Sequence, residues 1–111
     1  MKGSFAMGIN ISHGANRYGQ IYRSASAVAA LGHQLAYVLK PSDWRTVQHL
    51  FGGKRKSDDT LISPKQARQI AAALRKAAGH PKMSADGALD AAEFATAAAL
   101  AADLGEPWSW S

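Results

Sequence analysis

The chain has 111 residues, 47% of them hydrophobic and 19% charged, with no cysteine and a formal net charge of +5. Those values fit one small folded domain and exclude disulfides, thiolate metal sites and a cysteine nucleophile. No apolar run approaches the ~18 residues of a membrane span, and the first residues lack a secretory pattern. The chain therefore reads as a cytoplasmic protein.

In chain order, Met1–Ala6 reads as a vector-derived remnant, with Met7-Gly8 as a second start, so that one globular domain occupies 7–111. Gly8-Ile9-Asn10-Ile11-Ser12-His13-Gly14 alternates apolar and polar residues and ends on glycine, the pattern of a short strand with Ile9 and Ile11 inward. Asn16-Arg17-Tyr18-Gly19 has the composition of an exposed turn. Ile21, Ala25, Val28, Leu31, Leu35, Val38 and Leu39 then recur at helical spacing, which predicts a helix from Arg23 or Ser24 to Leu39. Gly32 lies inside it at a cost of ~1 kcal/mol, a sign that another helix approaches closely there.

Pro41 stops that helix, and Ser42 is the predicted cap of a second, Asp43–Phe51, whose apolar face is Trp44, Val47, Leu50 and Phe51. Lys54-Arg55-Lys56 opens a charged loop, and Thr60-Leu61-Ile62 reads as a short strand. The best-specified element is Ser63–Gly79. Ser63 with Gln66 has the spacing of a capping box, Pro64 suits the first helical position, and Gly79 reads as a left-handed terminator before Pro81. Its apolar stripe is Ala67, Ile70, Ala71, Leu74, Ala77 and Ala78, and its basic stripe is Lys65, Arg68, Arg75 and Lys76.

Met83–Leu104 is an alanine-rich helix capped by Ser84 or Asp86, with Leu89, Leu100 and Leu104 on one face and Gly87 as a blemish near its start. Gly105 ends it. In Glu106-Pro107-Trp108-Ser109-Trp110-Ser111 the tryptophans fall on one face of a strand, with Ile9–Ser12 or Thr60–Ile62 as partner. The predicted fold is α+β and mainly α. About four helices carry a small two- or three-stranded sheet made by the N-terminal strand and the Trp-rich tail.

Charge is distributed unevenly. Lys40–Lys82 holds ten basic residues against three acids, whereas Met83 onward holds five acids and no base. Either the basic middle has an anionic partner, or the two regions neutralise each other within the domain or across a homodimer.

Motifs of catalysis are missing. His13, His33, His49 and His80 have no zinc-helix spacing. Ser12 and His13 are neighbours on a strand and point to opposite faces, so they cannot act on each other. Phe51-Gly52-Gly53-Lys54-Arg55-Lys56-Ser57 lacks the spacing of a phosphate-binding loop. Only a pocket joining distant residues such as His13, Arg17 and Tyr18 would make an enzyme. No catalytic residue, metal ligand or cofactor is assigned.

Two binding readings remain. Lys54, Arg55 and Lys56 with the Lys65/Arg68/Arg75/Lys76 face are candidates for nucleic-acid phosphates. Trp108 and Trp110 are candidates for anchoring a protein partner, or else complete a core that alanine leaves short of volume.

On Gly8–Gly14, Pro41-Ser42-Asp43-Trp44-Arg45, Ile62-Ser63-Pro64 and Gly105–Trp110, the chain resembles a group of small uncharacterised actinobacterial proteins, with similar sequences expected in phages of such hosts. The resemblance covers almost all of Met7–Ser111. It implies a single cytoplasmic domain and transfers no activity or site. The rhythm of helix caps is also similar to that of bacterial immunity-type proteins, which act by binding a partner. The expected function is a non-enzymatic protein–protein interaction module, with the basic-face nucleic-acid binder as the alternative.

Overall fold

The computed structural model describes residues 8–13, 21–51 and 60–110. Within them the order is β1 (Gly8–His13), β2 (Ile21–Ser24), α1 (Ala25–Val38), α2 (Pro41–Phe51), β3 (Thr60–Ile62), α3 (Pro64–Ala78), α4 (Ala85–Asp103) and β4 (Trp108–Trp110). The strands form a four-stranded antiparallel sheet of order β2-β1-β4-β3, one face of which shares a single hydrophobic core with the four helices, α1 and α4 lying against its strands. The mainly helical α+β class is the one expected from the sequence.

The tail strand pairs with both of its candidate partners. Ile11 faces Trp110 and His13 faces Trp108 across β1–β4, while Ile62 faces Trp108 across β3–β4. One side of the sheet therefore brings Ile9, Ile11, Ile21, Ile62, Trp108 and Trp110 into the core. The alternate positions Tyr22 and Leu61 are exposed.

The fourth strand was not expected. Ile21 reads as the first residue of the helical periodicity, yet Ile21–Ser24 pairs with β1, and the helix begins only at Ala25. Ser24 marks the change, with extended backbone and its hydroxyl accepting a hydrogen bond from the Ala27 N–H. A single Ile at the helical offset also fits the two-residue period of a strand, which makes the boundary ambiguous in the sequence.

Helix ends required two further corrections. α2 starts at Pro41 instead of being capped by Ser42, because proline is tolerated in a first turn. Gly79 ends α3 at φ −89° and is not left-handed; Gly105 is the described residue with positive φ, at 68°. Around Gly105 the N–H of Glu106 bonds the Ala101 carbonyl and that of Gly105 bonds the Ala102 carbonyl, the paired closure of a Schellman turn. At the start of α3, Ser63 accepts from the Gln66 N–H at 3.2 Å and donates to Gln66 Oε1 at 3.4 Å.

Alanine sets the spacing of the helical layer. Ala67, Ala71, Ala73 and Ala77 of α3 and Ala91, Ala95, Ala98, Ala101 and Ala102 of α4 are all buried, and these two helices share the most extensive interface of the fold. Small side chains let the backbones come close. Volume then comes from the aromatic residues: Trp110 packs edge-on against Phe51, Phe94 and Trp108 at centroid distances of 5.2, 5.7 and 5.5 Å. At Gly32 a Cβ would lie 2.5 Å from the Phe51 carbonyl oxygen, so α1 and the end of α2 meet at the closeness its sequence position suggests.

Candidate functional site

The basic stripe of α3 divides in two. Arg68 pairs with Asp103 of α4 at 3.1 Å, with both side chains more than half exposed, and Lys76 pairs with Asp43 of α2 at 3.4 Å. Lys65 and Arg75 are exposed and have no ion-pair partner among the described residues. Among the described residues, the acidic segment reaches the stripe through Asp103. Asp90 and Glu93 instead hold Arg23 of β2, whose Nε lies 3.2 Å from Asp90 and whose Nη2 bonds Glu93. Lys54, Arg55 and Lys56 lie outside the described residues, as do Arg17 and Tyr18.

The tryptophans proposed as anchors for a partner are core residues. Trp108 and Trp110 are 0% exposed, so neither ring presents a surface to a second protein. Both indole N–H groups are enclosed without an acceptor among the described residues. The reading in which they supply missing core volume is the one that matches their burial.

No group of three His, Asp or Glu side chains placed to hold a metal ion occurs among the described residues. His33 and His49 are exposed on their helices, and His80 Nδ1 accepts the Lys82 N–H at 3.0 Å. Burial of part of its ring pushes His49 below the ordinary value of 6.5. No helix among the described residues is long and apolar enough to cross a membrane.

A concavity lies elsewhere, between α1 and the first turns of α4, where a groove of about 360 Å³ opens to the surface. Ala27, Ala30, Leu31 and Gln34 form one wall at the three- and four-residue spacing of a helix face, and Asp86, Gly87, Leu89 and Asp90 form the other. Leu31 is buried at the base, whereas Leu89 at the lip is 70% exposed.

Gln34 joins the two helices. Its Oε1 accepts the Ser84 N–H at 2.9 Å, taking up a backbone donor just before α4. Its amide lies where a Cβ on Gly87 would stand, 2.6 Å from Oε1 and 2.8 Å from Nε2. That contact explains a glycine in the first turn of an otherwise alanine-rich helix. Ser84 caps the same turn by accepting the Gly87 N–H at 3.0 Å.

Electrostatically the groove is acidic. Asp86, Asp90 and the adjoining Glu93 bring three carboxylates, against the single guanidinium of Arg23. Floor and lip are aliphatic. Such a site suits a cationic, partly apolar segment better than an anion. Sequence reasoning missed Gln34, Gly87 and Arg23. Gly87 was the available signal, since a glycine there weakens the helix unless a neighbour occupies its side-chain space.

No curated protein and no solved structure is matched by the chain. A family model does match it, over residues 14–111. The chain belongs to the family described as a domain of unknown function, DUF7739.

Proposed function

We propose that the chain is a non-enzymatic binding protein that docks a protein partner in the groove between α1 and α4. The partner supplies an aliphatic side chain to Leu31 and Leu89 and a lysine or arginine to Asp86 and Asp90. One observation carries this reading: an exposed leucine stands beside carboxylates over an apolar floor. Isolated exposed leucines are ordinary, but one on the lip of a concave, acid-rimmed groove has the form of a recognition site. Absence of cysteine supports a cytoplasmic setting.

Capture from host lysate with the purified domain tests the proposal. Leu89→Arg should abolish recovery of the partner while leaving the melting curve unchanged, and Lys65→Ala with Arg75→Ala should retain it. Equal capture by the Leu89→Arg variant would rule out this groove.

Nucleic-acid binding is the second reading, favoured by Lys65 and Arg75, which are exposed and unpaired among the described residues. It requires an affinity for DNA or RNA that drops steeply with salt and is lost in the Lys65→Ala, Arg75→Ala variant. No binding at low salt removes it.

A further inference from the structure

We propose that the cleft between α2 and α3 is a binding site for a phosphate monoester, separate from the groove between α1 and α4. The cleft encloses about 220 Å³. Arg45, Thr46 and His49 line it from α2, and Gln66, Gln69 and Ile70 line it from α3. Arg45 and His49 are one turn apart, so both side chains reach the same side of α2. The antiparallel run of the two helices, fixed at the other end by Lys76–Asp43, sets them opposite Gln69 and Gln66.

Hydrogen-bond capacity determines what this cleft accepts. No carboxylate lines it among the described residues. Arg45 has no ion-pair partner among the described residues, and the nearby Asp43 is held by Lys76 at 3.4 Å. Gln66 uses its carbonyl oxygen on the Ser63 hydroxyl, which leaves its amide N–H groups to donate. Gln69 has no hydrogen-bond partner among the described residues, and the Thr46 hydroxyl already donates to the Ser42 carbonyl at 3.2 Å. Available to a ligand are therefore a guanidinium, two amide NH₂ groups and an imidazole N–H. This set is rich in donors and carries positive charge.

An oxyanion is the complementary ligand. A phosphate monoester offers three acceptor oxygens and a charge of about −1.5 to −2, which Arg45 can engage in a bidentate manner. Ile70, 1% exposed, lies beneath the cleft, while Arg45, His49, Gln66 and Gln69 are exposed, so the bonds form at an open surface and depend on charge and donor number. The volume admits a phosphate with a few attached atoms, and falls below the roughly 300 Å³ at which sites for whole small molecules begin. A phosphodiester brings only one charge and blocks two oxygens, so the monoester is the better match.

Titration of the ¹⁵N-labelled full chain tests the proposal, with inorganic phosphate, free phosphoserine and an oligonucleotide lacking terminal phosphates as separate probes at matched ionic strength. Phosphate and phosphoserine should each give saturable shifts confined to residues 45–49 and 66–70 and to the Gln66 and Gln69 side-chain NH₂ signals. Phosphoserine binding tighter than phosphate would identify an esterified ligand; equal affinities would identify the free ion. Arg45→Gln should weaken binding about tenfold or more with the spectrum otherwise intact, and Gln69→Leu should weaken it independently. Absence of saturation, unaltered affinity in both variants, or equal shifts from the oligonucleotide would overturn the assignment.

Discussion

Gly32 of α1 and the Phe51 carbonyl of α2 stand so close that a Cβ on the glycine would come within 2.5 Å of the oxygen and 2.9 Å of the Phe51 Cβ. Neither atom can rotate away, because one is backbone and the other is fixed to it. Gly32→Ala, which on intrinsic propensity should help a helix, is therefore expected to destabilise the domain by about 1–3 kcal/mol. Urea unfolding of the variant against the parent chain checks this, and a stabilised variant would show that the two helices can separate freely.

The two helix-ending glycines should respond in opposite ways. Gly79 has φ −89°, and a Cβ there meets only carbonyl oxygens at 3.8 Å or beyond, so Gly79→Ala should be neutral or stabilising by up to about 1 kcal/mol. Gly105 has open space around it but φ 68°, so Gly105→Ala should cost about 1–2 kcal/mol from backbone strain alone. Paired melting curves read the contrast.

Trp108 and Trp110 make a third test. Truncating either to alanine removes a fully buried indole and should cost about 3–5 kcal/mol, a large part of a small domain's stability. Replacement by phenylalanine keeps an aromatic ring and removes an enclosed N–H that has no acceptor among the described residues. Phenylalanine variants should accordingly lose much less than alanine variants, because a buried unpaired donor itself costs about 1–3 kcal/mol. Equal losses would mean that the indole N–H groups are satisfied in solution.

Ion pairs should rank by exposure. Arg23 is 28% exposed and faces two carboxylates, whereas Arg68 and Asp103 are 62% and 64% exposed. Arg23→Met should cost about 1–2 kcal/mol, since it leaves Asp90 and Glu93 adjacent without a cation. Arg68→Ala should stay within about 0.5 kcal/mol. Added salt should narrow the difference.

The lowered pKa of His49 predicts a pH dependence. Burial makes the folded chain bind this proton more weakly than the unfolded chain, whose ordinary value is 6.5. Above that value the histidine is neutral in both states and favours neither. As pH falls below it, the unfolded state takes up the proton first, so stability declines, and the decline ends once the folded value is passed. His49→Gln should flatten that part of a stability–pH curve between neutral and mildly acidic pH.

How much of this the sequence disclosed depends on whether the controlling physics is local. The α3 cap at Ser63, the presence and order of the four helices and the partners of the Trp-rich tail follow from periodicity and turn chemistry, and they stand as read. The switch at Ser24 was obscured because Ile21 fits both periods. Gly79 and Gly105 look alike in sequence, and only the chain beyond each helix determines which adopts positive φ. Charge pairing was the least legible feature. Arg23 is remote in sequence from Asp90 and Glu93, and β2 brings it to them through the sheet register. The α1–α4 groove likewise depends on Gln34 meeting the Ser84 N–H, fifty positions away.

The position of β4 imposes an order on assembly. This last strand lies between β1 and β3, joined to each by antiparallel pairing. Until residues 108–110 have been synthesised, the hairpin near the N-terminus and the strand before α3 have nothing between them, and the tryptophan-centred core has no middle. Helices can form earlier from local contacts, but the sheet closes only through non-local pairings, that of β1 with β4 spanning almost the whole chain, and such pairings are slow to form. During translation the inner edges of β1 and β3 therefore stay unpaired until β4 arrives, and unpaired strand edges are a route to aggregation.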